Sequence, residues 1–194
     1  MKINILINDK EVLTLGRKSK VKRKKSRHGM EIRKGTYHMK DGKYSALDIA
    51  KYIVNYGKEN DEITNLKLQK LLYFIEAKFM KENSGESLFY DQLEAWDYGP
   101  VVKEVYSYYK GNGNRPISVA FNYPPEVEII PKDGNFIEEV VNHFRNTDQW
   151  DLVDRTHKED PWKIYYKPGI KPVIPKKAVR DYYRYIDVLT GVQT

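Results

Sequence analysis

The 194-residue chain contains no cysteine. That excludes a disulfide framework and thiolate metal sites, and it fits a reducing cytosol. Histidine is scarce: His28, His38, His143 and His157 stand apart, none with a second histidine within four residues, so zinc-type ligand spacing is missing. No apolar run approaches the ~20 residues of a membrane span. The first residues do not read as a signal peptide, since Lys2 precedes only a short apolar stretch before Asp9. The glycine, serine and histidine signatures of the common nucleophile-elbow, P-loop, zincin and Rossmann enzymes do not occur. No internal repeat is visible. These absences lead us to expect a soluble cytoplasmic protein without cofactor, metal or membrane contact.

What is abundant is charge, and it is unevenly placed. The net charge is +7, but residues 1–40 alone carry +10, from 13 Lys/Arg against Asp9, Glu11 and Glu31, and the remaining 154 residues carry −3. The basicity is local and marks a boundary near residues 39–43. A chain of this length supports one substantial core and is too short for two large domains. We therefore expect a basic appendage over 1–40 and a larger domain over 43–194.

Within the appendage, Ile3–Ile7 is rich in β-branched residues, Asn8-Asp9-Lys10 reads as a turn, and Glu11–Leu15 as a returning strand. Such a hairpin is marginal alone. It leads into Arg17, Lys18, Lys20, Lys22, Arg23, Lys24, Lys25, Arg27 and His28, interrupted only by Ser19, Val21 and Ser26. Nothing in that run can bury an apolar face, so it reads as a loop or tail. It suits a phosphate-tracking arm, a grip on an acidic protein, or a solvated tail. The lack of interleaved aromatics argues against a single-strand stacking platform. A short third strand near Glu31–His38 is weakly signalled.

Beyond residue 43 the periodicity becomes helical. Ala46, Ile49, Ala50, Ile53 and Val54 form one stripe, started by Ser45 with Asp48 three residues on. Thr64 can cap a second helix on which Leu68, Leu71, Leu72, Ile75 and Phe79 share a face and Lys67, Lys70 and Lys81 fall outside it. Asn83-Ser84-Gly85 ends that helix. Pro100 suits the first position of a third helix running to Lys110, stopped by Gly111–Pro116. Residues 116–134 read as an irregular crossing. A helix follows around Phe136–Phe144, a short one at Trp150-Leu152-Val153, a turn at Pro161–Tyr165, and a last helix over Pro175–Leu189. The fold class is mainly α, preceded by a small basic β-hairpin region.

Three phrases go further. Leu66-Lys67-Leu68-Gln69-Lys70-Leu71-Leu72-Tyr73, then Ala95-Trp96 with Tyr98-Gly99-Pro100-Val101, then Thr156-His157, Pro161-Trp162 and Ile174-Pro175 with Tyr182-Tyr183, resemble the SocA-like or Panacea antitoxin domain of bacterial and phage toxin–antitoxin systems. The resemblance covers residues 43–187. It implies an all-helical domain that neutralises a partner protein, with Trp96, Tyr98, Gly99, Pro100, Val101, Thr156, His157 and Trp162 as its motif. The partner implied is a toxin, or a host defence protein if the chain is of phage origin. The oligomeric state stays open.

The residues themselves admit duller readings. His157 has Asp154 and Asp160 three positions to either side, which could orient a general base, but no nucleophile or pocket accompanies it. We take it as a structural histidine bonded to a backbone carbonyl near the turn into Pro161-Trp162, and the chain as no enzyme. Trp96 reads as a core residue. Tyr98 is open between a wet surface position and an interface anchor. Of the 16 tyrosines, runs such as Tyr106-Ser107-Tyr108-Tyr109 and Tyr182-Tyr183-Arg184-Tyr185 cannot all face one core, so some stand at the surface. The main reading is a stoichiometric antitoxin. The alternative is a nucleic-acid-binding protein acting through residues 17–28, with the helical domain as its base.

Overall fold

The computed structural model describes the backbone of four short strands between residues 3 and 38, and residues 42–57, 63–118 and 123–194 in full. Strands β1 (Ile3–Ile7) and β2 (Glu11–Leu15) pair antiparallel, Ile3 opposite Leu15, as the hairpin pattern predicts. The single strand expected near Glu31–His38 is instead a second hairpin, β3 (Glu31–Arg33) with β4 (Thr36–His38). The basic run 17–28 lies outside the described residues.

Helix α1 (Ala46–Tyr56) buries the predicted stripe, and Ser45 caps it by accepting from the Asp48 amide at 3.0 Å. Helix α2 (Asn65–Glu82) is capped by Thr64, which accepts from the Lys67 amide. It is the axis of the domain, packed by α1 and by every later helix but one: α3 (Lys103–Tyr109), α4 (Pro131–His143), α5 (Gln149–Lys158) and α7 (Lys176–Tyr182). The exception, α6 (Asp160–Tyr165), lies against α5 and α7. A small antiparallel sheet has β5 (Leu93–Trp96) at its centre, between β6 (Gly99–Val101) and β7 (Val173–Ile174).

A helix surrounded on all sides has no solvent face, so the lysines outside its apolar stripe are not on the surface. Lys67 and Lys70 are both buried. Buried polar side chains of α2 bond to the segments packed around it. Lys67 Nζ donates to the Arg145 carbonyl at 2.7 Å, and Lys70 Nζ to the Pro100 carbonyl at 3.0 Å. Gln69 accepts from the Val102 amide at 2.9 Å and donates to Asn65. Glu76 accepts from the Leu88 amide at 3.0 Å and pairs with Lys176 at 2.8 Å. Lys81, nearer the helix end, donates to the Ile186 carbonyl at 2.7 Å.

Pro100 does not start a helix. It sits in β6 opposite Ala95, at a sheet edge where its missing amide costs no ladder bond, and α3 begins at Lys103. Pro161 instead opens α6, where a turn was expected. The last helix is shorter than the pattern suggests. It ends at Tyr182, and Tyr183–Tyr185 tightens into a 3-10 turn that sends the Tyr183 side chain inward.

There the buried Glu159 carboxylate accepts from Tyr73 at 2.8 Å and Tyr183 at 2.6 Å, with Arg155 Nε 3.4 Å away. Burial raises the Glu159 carboxyl above its ordinary range and holds both phenols well above theirs. Arg155 also donates to the carbonyls of Val188 and Leu189, which secures the C-terminal segment. Glu159→Ala should strand two buried hydroxyls and cost ~3 kcal/mol or more in urea unfolding. Tyr73→Phe, removing a single donor, should cost only ~1 kcal/mol.

Candidate partner-binding site

The turn Asp97-Tyr98 between β5 and β6 is shaped by what lies beneath it. Gly99 has φ +97°, a conformation that side chains rarely adopt, and a Cβ there would stand 2.6 Å from Thr156 Oγ1 and 2.7 Å from Lys70 Nζ. Glycine is required twice over, by backbone angle and by space. Thr156 is buried, its hydroxyl donating to the Val153 carbonyl at 2.9 Å. Next to it the His157 ring stacks on Trp162 at 3.9 Å, and Trp162 stacks on Tyr166 at 4.4 Å. Hydrogen bonds bind this stack to the turn. Trp162 Nε1 donates to the Trp96 carbonyl at 2.9 Å, and the Tyr166 hydroxyl to Asp97 at 3.0 Å. Trp96, Tyr98, Gly99, Pro100, Val101, Thr156, His157 and Trp162, dispersed over 67 positions of sequence, thus gather around one turn and one lysine.

The gathered residues differ in exposure. Gly99, Pro100 and Val101 are buried. Trp96 is only half-buried, not the core residue its size suggests. Side chains alternate along β5, so Leu93 and Ala95 take the core side and Glu94 and Trp96 the outer one. The Trp96 ring packs on Tyr106 at 4.8 Å, lies under Lys171 Nζ at 3.7 Å, and donates through Nε1 to Glu94 at 2.8 Å. Tyr98 is 58% exposed and meets Trp150, 50% exposed, edge to face at 5.5 Å.

Trp150, Lys70 and Tyr166 were not foreseen as site residues. The signal for Trp150 was present, since Trp150, Asp154 and His157 follow i, i+4 and i+7 along α5 and share its outer face. Nothing in the α2 sequence separates Lys70 from a solvated lysine.

Lys70 is fully buried, and burial alone pushes its amine down to about 7. His157 is lowered by burial first and then by the Lys70 charge, against which Asp154 and a hydrogen bond with the Asp97 backbone favour protonation. That backbone partner belongs to the β5–β6 turn, against which Trp162 also packs, and not to the Pro161-Trp162 segment itself. Of the two aspartates beside His157, Asp160 is paired with Lys163 at 3.0 Å. Among the described residues no three His, Asp or Glu side chains gather as a metal site, and no helix is long and apolar enough to cross a membrane.

The family described as antitoxin SocA-like, Panacea domain, matches residues 68–163, a span that includes Lys70 and the residues from Trp96 to Trp162 and stops short of Tyr166. Antitoxin SocA of Caulobacter vibrioides (strain NA1000 / CB15N) is 30% identical over 145 residues, covering 67% of this chain and 77% of that protein. No solved structure matches.

The Lys70 environment predicts a pH dependence. Unfolded, the amine titrates at its ordinary 10.5; folded, at about 7. Between those values the unfolded chain holds a proton that the folded protein lacks, so this group adds stability as pH rises. The stability of wild type minus that of Lys70→Met should therefore climb from pH 7 towards 10.5, read by denaturant midpoints at stepped pH.

Proposed function

This chain belongs to the SocA-like, Panacea-domain antitoxin family, and from that premise we propose that it neutralises a partner toxin, or a host defence protein, by stoichiometric binding rather than turnover. The observation that carries this reading is the exposed Tyr98–Trp150 pair, Tyr98 on a turn fixed from below by buried groups and Trp150 at the start of α5. Large aromatic rings held rigidly at a surface are the residues that dominate protein interfaces, because little side-chain freedom is left to lose on binding. Asp97 and Asp151, both exposed, are the chain neighbours of the two rings, and exposed Asp154 follows Trp150 one turn along α5. The partner face that suits it has an apolar centre and a basic rim.

The test is co-expression with the product of the gene adjacent to its own, followed by growth measurement and titration of the purified pair. Tyr98→Ala should weaken binding by about thirtyfold or more, the loss of ~2 kcal/mol typical of an interface anchor, with the melting temperature close to wild type. Normal binding by a folded Tyr98→Ala variant would remove Tyr98 from the interface. His157→Gln should leave neutralisation largely intact at saturating protein.

The charge split favours a second role for residues 1–40, as an arm joined to the domain over 43–194. Replacing Lys22, Arg23, Lys24, Lys25 and Arg27 together by glutamine should leave folding intact, reduce retention on nucleic acid at low salt, and flatten the salt dependence by several units of slope. If retention holds and partner binding fails, the arm grips an acidic protein instead.

A further inference from the structure

We infer that Lys70 is a positioning residue for partner binding, its amine joining the β5–β6 turn to α5 so that Tyr98 stands against Trp150. This rests on the reading of those two rings as partner anchors. A buried amine is expensive, and an apolar side chain of similar length would fill the same space without that cost. What the amine adds is its grip. Its hydrogen bond goes to the Pro100 carbonyl at 3.0 Å, two residues from Tyr98. The glycine between them brings the backbone so close that a Cβ there would sit 2.7 Å from Nζ.

That same Cβ position lies 2.6 Å from Thr156 Oγ1, so the turn is wedged between the amine and α5. Thr156 and His157 belong to the helix that carries Trp150 at its start, and the Lys70 charge acts on His157 directly. The amine thus bonds the turn at the place where the turn closes on α5, the helix that bears the second exposed ring. Neither ring is held by the other alone: an edge-to-face contact at the surface is worth only ~1 kcal/mol.

The experiment compares full-length wild type with Lys70→Met. In the purified proteins, nuclear magnetic resonance follows the Tyr98–Trp150 ring contact and the Trp150 indole resonance, while a melting curve reports the fold. The expected result is a folded variant in which the ring contact is lost and partner affinity falls by about tenfold or more. A folded variant with the ring contact unchanged overturns the inference, whatever its affinity. If Tyr98→Ala binds the partner normally, the anchor reading fails separately, and the ring contact still judges whether Lys70 holds the turn.

Should Lys70→Met not fold, the His157→Gln protein decides, since it removes the histidine that faces Lys70 from α5. Asp154 beside it, Asp97 in the turn and the phenols of Tyr98 and Tyr166 also carry ionisable groups there. From about pH 6 to about pH 8.5 the Trp150 indole resonance should move in step with the Lys70 side-chain resonance. If Lys70 titrates and Trp150 does not respond, the inference is wrong.

Discussion

The structure depends on the burial of α2 from every side. A helix in that position cannot send its polar side chains to water, and an unpaired buried polar group costs ~1–3 kcal/mol, more if charged. The polar residues of α2 are accordingly spent on the segments packed around it. Gln69 fixes the entry to α3, Glu76 holds the Leu88-Phe89 backbone and Lys176, and Tyr73 meets Glu159 at the end of α5. The helix is both the centre of the core and the hub of its hydrogen bonds.

The surface proposed to bind a partner follows from that arrangement. Loops are ordinarily the mobile parts of a domain. Here the β5–β6 turn is held by Lys70 from beneath, by the Trp162 indole at the Trp96 carbonyl, and by Tyr166 at Asp97. An exposed tyrosine on such a turn presents its ring in a fixed place, which is the condition for strong binding by a small surface. The stack of His157, Trp162 and Tyr166 gives the histidine a packing role beside the turn. Its ring is occupied as a spacer between the turn and α6.

Buried charge recurs with different solutions. Glu159 is satisfied by two phenols and an arginine, Glu76 by backbone amides and a lysine, and Asp133 by Tyr44 at 2.9 Å with Lys43 alongside. Lys70 has a carbonyl where those acids have charged or multiple partners, and its amine shifts accordingly. It lies under the surface proposed to bind.

Sequence alone determined the helices whose pattern is local. The α1 stripe, the Ser45 and Thr64 caps and the class of the fold follow from spacing and capping chemistry. The motif pieces were also legible as pieces. What sequence could not supply was their meeting, since Lys70, Gly99 and Thr156 are brought together only by packing across the domain. The same limit misplaced Pro100, whose ring fits a helix start and a sheet edge equally well, and Trp96, whose size argued for a core that strand alternation gave to Ala95. It hid Lys70 too. Whether a lysine beside an apolar stripe faces water depends on what packs over it, and only the tertiary structure decides that.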